Sequence, residues 1–137
     1  MSEETPVLQV EGLVFGYSGR PVLADWSACI GTGATLLQGD ESSGKTTLLR
    51  LLAGVLPAQA GRLVLRGVSL ADAPQAYRRQ VFWEDPRSDA IDLLTARDWL
   101  QSLPAQHAAW DAQALAAHVQ GFGLQDHLDK HFYMLST

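Results

Sequence analysis

Gly39-Asp40-Glu41-Ser42-Ser43-Gly44-Lys45-Thr46-Thr47 carries the spacing G-x-x-x-x-G-K-[ST], with an apolar run on each side. Upstream, Gly33-Ala34-Thr35-Leu36-Leu37-Gln38 reads as a short buried strand. Downstream, Leu48-Leu49-Arg50-Leu51-Leu52-Ala53 consists mostly of good helix formers and is closed by Gly54. Strand, glycine loop and helix in that order make a phosphate-binding loop. In such a loop consecutive backbone N–H groups turn toward one anion, and the helix adds its positive end. The backbone from Gly39 through Asp40, Glu41, Ser42 and Ser43 to Gly44 would form that cradle. Lys45 is placed to reach the β- and γ-phosphates, the Thr46 hydroxyl to ligate Mg²⁺, and Thr47 to touch the α-phosphate.

The rest of the composition narrows the class. A chain of 137 residues, 47% hydrophobic and 18% charged, is a globular domain of ordinary size. A net charge of −5 argues against a nucleic-acid partner, which needs a basic face. The single cysteine, Cys29, excludes an internal disulfide. Flanked by Ala28 and Ile30, it reads as a buried structural thiol in a reducing compartment. No apolar run approaches the ~20 residues that span a bilayer, and the start Ser2-Glu3-Glu4 is unlike a signal peptide. His127 and His131 are four apart, but no Cys or carboxylate pattern joins them with His107 and His118 into a metal site. Glu84 and Asp85 are adjacent on an extended segment. They point to opposite faces, which is wrong for an acid/base pair.

Residues 7–17 alternate and read as a strand bent at Gly12, followed by a turn at Ser18-Gly19-Arg20-Pro21. Residues 22–30, 62–66 and 81–84 read as further strands. Residues 72–79 read as a short helix with Asp72 as N-cap. From Thr95 the character becomes helical. Thr95 caps residues 96–103, which Pro104 ends. Asp111 caps residues 112–122, and residues 125–130 follow a glycine turn. Trp99, Leu100, Trp110, Leu115 and Val119 are the expected core of this part.

This order of parts resembles the first two-thirds of an ATP-binding cassette (ABC) transporter ATPase subunit. Residues 39–47 anchor the resemblance. Leu52-Ala53-Gly54, Pro57, Gly61, Gly67 and the Leu94-Thr95 pair support it by their spacing. It implies an α/β fold: a partial P-loop NTPase core with an N-terminal antiparallel β region and an α-helical subdomain. The incomplete core would occupy residues 1–94 and the helical subdomain residues 95–137. It implies ATP with Mg²⁺, and adenine stacked on Tyr17 of Phe15-Gly16-Tyr17. The implied partners are a second ATPase subunit and a membrane-spanning transporter subunit. The protein would sit peripherally on the inner face of the membrane, with no transmembrane segment of its own. The implied function is coupling of ATP binding and hydrolysis to transport.

Two departures from the family pattern stand out. Where the family has a glutamine that helps ligate Mg²⁺, this chain reads Trp83-Glu84-Asp85-Pro86, and Asp85 is the positional match. The closing residues Tyr133-Met134-Leu135-Ser136-Thr137 match only the opening of the family's signature loop. The family's Walker B aspartate, catalytic glutamate and switch histidine have no counterparts here. The chain therefore reads as a truncated subunit with no catalytic residue of its own, expected not to turn over ATP alone. A small complete P-loop protein of another class would need residues 81–85 as its acidic-ended strand. Three apolar residues are few for that, and Pro86 suits a loop. A decayed cassette acting only as an interaction module fits poorly with the intact residues 39–46.

Overall fold

The computed structural model describes residues 5–41, 43–84, 89–107 and 109–135. The chain forms two compact units, one running to Trp83 and one beginning at Glu84.

The first unit is built on an antiparallel sheet of β1 (Leu8–Tyr17), β2 (Arg20–Ile30), β3 (Ala60–Leu65) and β4 (Val68–Ser69), in the order β2-β1-β3-β4. β1 is central. The bend expected at Gly12 is a β-bulge. Val10 pairs with Ala28 and Leu13 with Trp26, so three steps on β1 oppose two on β2. The same extra residue appears against β3, where Glu11 pairs with Arg62 and Val14 with Ala60. It lets Val10 and Leu13, three apart, face the same core as Phe15. The displaced Gly12 amide is satisfied by Ser27 Oγ at 2.9 Å.

Helix α1 (Lys45–Leu52) lays Leu48 and Leu51, one turn apart, into that core. Leu13 and Leu51 are fully buried. Each such side chain contributes about 1.5–3 kcal/mol relative to exposure. Helix α2 (Pro74–Arg78) starts with Pro74 at a first-turn position, where the missing N–H costs nothing. It adds Tyr77, also fully buried. Tyr77 Oη donates to Leu52 O at 2.5 Å and Arg78 Nε to Gly54 O at 2.8 Å. α2 thus closes Leu52 O, the last carbonyl of α1, and Gly54 O just beyond it, while the Leu49, Arg50 and Leu51 carbonyls accept from the N–H groups of Ala53, Val55 and Gly54.

Gly61 lies where β3 crosses the bulge, at φ +104°. A Cβ there would stand 2.6 Å from both Gly12 O and Leu13 Cα. Gly61→Ala is expected to lower unfolding stability by about 2 kcal/mol, through left-handed backbone strain and displacement of the bulge. Urea denaturation checks this, and an unchanged midpoint would show that the bulge yields freely.

Four expectations need correcting. Residues 35–38 do not form a strand. Leu36 is 79% exposed and Leu37 37%, because no described strand lies alongside to pair with them. Residues 81–84 are likewise not a strand, and Phe82 is 53% exposed. Cys29 is exposed, since its place in β2 turns it to the face away from the core. Asp72 does not cap α2: the N-cap is Ala73, which makes no side-chain cap bond.

The second unit contains α3 (Ala96–Ser102) and α4 (Ala112–Gly121), with 3₁₀ turns at Leu103–Ala105, Gln125–His127 and Phe132–Met134. Both predicted caps form. Thr95 Oγ1 accepts from Asp98 N at 3.1 Å, and Asp111 Oδ1 accepts from Gln113 N and Ala114 N at 3.0 Å each. Residues 94–97 run beside 128–132 through Phe132 N→Leu94 O, Ala96 N→Lys130 O and Arg97 N→Leu128 O. Arg97 also pairs with Asp129, and that bond holds the Asp129 carboxyl below its ordinary range. The expected core is only partly formed. Leu100, Trp110, Leu115 and Val119 are half-buried and line an open cleft of about 560 Å³, and Trp99 packs edge-on to Phe132 instead. Leu103 is the one buried apolar side chain among the described residues here. A unit of this size leaves much of its apolar surface uncovered.

Candidate functional site

The site is built where residues 39–44 enter α1. Ser43 N donates to Asp40 O at 3.1 Å, closing a tight turn, and Leu48 N donates to Gly44 O at 2.9 Å as the first helical bond. Gly44 is the N-cap, at φ +93°, a conformation that disfavours any side chain. A Cβ on it would also stand 2.6 Å from Val22 Cγ1 of β2. The loop therefore lies directly against the sheet.

Lys45 turns back into the loop. Its Nζ donates to Gly39 O, to Asp40 O at 2.7 Å, and to Ser43 Oγ at 3.4 Å. These partners are neutral dipoles. An anion at the same place would offer a stronger, charge-assisted bond. The N–H groups in the first turn of α1 have no partner within the helix and are available to the same anion. Thr46 and Thr47 stand on that turn, both half-buried. Glu41 is exposed. Ser42 and Asp85 lie outside the described residues, as do Ser136 and Thr137.

Tyr17 ends β1 within reach of the loop. Its Oη is 3.1 Å from Thr47 Oγ1, and its ring meets Phe15 edge-on at 5.1 Å. Half of Tyr17 is exposed. One residue of this neighbourhood escaped the sequence reading. Gln59 Nε2 donates to Gly16 O at 3.0 Å and Gln59 N to Val14 O at 2.9 Å, pinning the end of β1. Gln59 lies 43 residues from Gly16 in a connection, so no local pattern marks it.

No group of three or more His, Cys, Asp or Glu side chains gathers for a metal ion among the described residues. Mg²⁺ does not require one, because it keeps several waters and takes other ligands from phosphates. The Thr46 hydroxyl at the loop suits that role. His127 and His131 are occupied separately. His127 Nδ1 is 2.9 Å from Lys130 Nζ, and His131 Nδ1 is 2.7 Å from Leu93 O.

Residues 23–137 match the profile of a family described as ABC transporter. Over 131 residues the chain is 34% identical to the cytochrome c biogenesis ATP-binding export protein CcmA of Pseudomonas putida, covering 95% of this chain and 62% of that protein. Over 73 residues it is 42% identical to the zinc import ATP-binding protein ZnuC of Ruegeria pomeroyi, covering 52% of this chain and 28% of that one. Among solved structures, a putative ABC transporter ATP-binding protein from Pyrococcus furiosus superposes with a TM-score of 0.73 at 21% identity. That superposition covers 94% of this chain and 62% of the other. The chain spans 62% of the length of the CcmA protein it matches.

Proposed function

The chain belongs to the ABC transporter family and shares its P-loop ATPase fold, and from that premise we propose that it is the nucleotide-holding part of a transporter ATPase subunit. The observation that supports this most directly is Lys45, folded back over a glycine loop at the N-terminus of α1. In the proposed complex, Lys45 exchanges the Gly39 and Asp40 carbonyls for phosphate oxygens of ATP. Backbone N–H groups from Gly39 to Thr47 surround the phosphates. Thr46 would hold Mg²⁺, which when bound neutralises charge on the β- and γ-phosphates. From its place in the sequence alone, Asp85 is proposed as a further Mg²⁺ ligand. Tyr17 offers its exposed ring to adenine.

Hydrolysis and its coupling to transport are assigned to the assembled protein, with a second ATPase subunit and a membrane-spanning subunit as partners. The nucleotide core is assigned to residues 1–94 and the helical subdomain to residues 95–137. No helix among the described residues is long and apolar enough to cross a membrane. The proposed location is peripheral, on the inner face.

Titration of the chain with Mg-ATP by calorimetry tests this reading, and absence of binding by the folded chain would sink it. The base platform has its own check. Tyr17→Ala is expected to weaken ATP binding by roughly 5- to 150-fold, the range of base–aromatic stacking at about 1–3 kcal/mol. Tyr17→Trp keeps a stacking face and is expected to lose only about threefold, the contribution of the hydroxyl. A Tyr17→Ala variant that binds ATP like the parent would remove Tyr17 from the site.

A further inference from the structure

We infer that Thr47 positions the Tyr17 ring, so that the base platform and the phosphate loop act as one coupled unit. This rests on the nucleotide-binding reading above and adds a link within it. The two hydroxyls are 3.1 Å apart although the residues are 30 positions apart in sequence. The ring is held at its side as well, edge-on against the buried Phe15. Its backbone is held by Gln59 through Gly16 O. A Cβ on Gly16 would stand 2.8 Å from Arg20 O, so the chain leading to the ring has little room to shift. The side chain is thus fixed at its tip, its edge and its root while half its surface stays open. A platform already ordered loses little freedom when a base settles on it.

The proton count gives the link a direction. A hydroxyl donates one hydrogen bond and accepts two. If Thr47 gives its proton to a phosphate oxygen, its oxygen remains an acceptor and Tyr17 Oη–H must be the donor. The chain then runs from Tyr17 through Thr47 to phosphate. Each bond polarises the next, so phosphate binding tightens the grip on the ring. Linkage makes the effect reciprocal: a base on Tyr17 favours phosphate in the loop.

The test uses the full chain and two ligands, ATP and inorganic tripolyphosphate, each with Mg²⁺. The readout is the ratio of their affinities, which isolates what the nucleoside adds. Loss of folded protein weakens both ligands equally and cancels in the ratio. Thr47→Val and Tyr17→Phe are each expected to lower the ratio about threefold, the lower part of the net hydrogen-bond range. The double variant lowers it no further than either single one, and Thr47→Ser restores it. A Thr47→Val variant in which both affinities fall together, with the ratio unchanged, overturns the inference and leaves Thr47 as a phosphate contact only. Additive losses in the double variant overturn it as well. A parent chain that binds both ligands equally refutes the base platform, and one that binds neither refutes the proposed function. Either result removes the inference with it.

Discussion

Lys45→Ala is expected to lower Mg-ATP affinity by roughly 10- to 150-fold while leaving the thermal melt almost unchanged. The binding term comes from removing a charged donor to the phosphates, at about 1.5–3 kcal/mol. The small stability term comes from what Lys45 does in the chain itself. Its partners Gly39 O, Asp40 O and Ser43 Oγ lie at the surface, where water can replace the ammonium. Surface substitutions of this kind stay within about 0.5 kcal/mol. Lys45→Arg separates charge from shape, because a planar guanidinium keeps the charge and replaces a compact ammonium with a wider fork. Binding by Lys45→Ala equal to that of the parent, in a protein with the parent's circular dichroism, would falsify the phosphate role.

Tyr77→Ala is expected to cost about 3–5 kcal/mol of unfolding stability, the range for emptying a large aromatic site. Against a domain total of about 5–15 kcal/mol, that is enough to populate unfolded protein. Tyr77 is fully buried, belongs to the core formed with Leu13, Leu48 and Leu51, and donates to Leu52 O. Tyr77→Phe keeps the ring and leaves that carbonyl unpartnered, at about 1 kcal/mol. Alkaline pH adds a second check. Burial pushes the Tyr77 hydroxyl up from 10.0 to about 12. The folded chain therefore keeps a proton that the unfolded chain gives up. The contribution of Tyr77 is fully present below pH 10 and is lost as pH rises from there through about 12. Urea midpoints across that window should fall more steeply for the parent than for Tyr77→Phe. Parallel curves would mean that another tyrosine or a lysine governs the alkaline transition.

The sequence disclosed most where the determining chemistry is local. The glycine loop, the caps at Thr95 and Asp111, and the bend at Gly12 are each set by residues within a turn of one another, and each lies where the pattern placed it. Thr35-Leu36-Leu37-Gln38 has the composition of a buried strand and is exposed chain, because a strand exists only beside another strand. Cys29 shows the same limit on a smaller scale. Its neighbours indicate β2 correctly, but which face is covered depends on the register with β1. Tyr77 belonged to an expected short helix, yet nothing local shows that its hydroxyl would close α1, 25 residues earlier. The same holds at the candidate site. Lys45 and the loop could be read directly, whereas the contact of Tyr17 with Thr47 and the hold of Gln59 on Gly16 are products of the folded sheet.

The central position of β1 also orders events in time. Its ladder with β2 closes through the turn between Tyr17 and Arg20, a hairpin that forms in about 1–10 μs. Its other ladder joins Leu8 to Leu65 and can close only after the glycine loop and α1 have been made. On a ribosome the hairpin emerges first, the phosphate loop follows as a slack segment, and β3 arrives last to tie it down. Closing that ring requires the larger loss of chain entropy, so β1–β3 pairing is the slow step. Reversing it releases the β3 end of the loop segment while its other end stays held by β2. Amide protons bonded across β1 and β3 should then exchange together with loss of the nucleotide site, while the β1–β2 hairpin outlasts both.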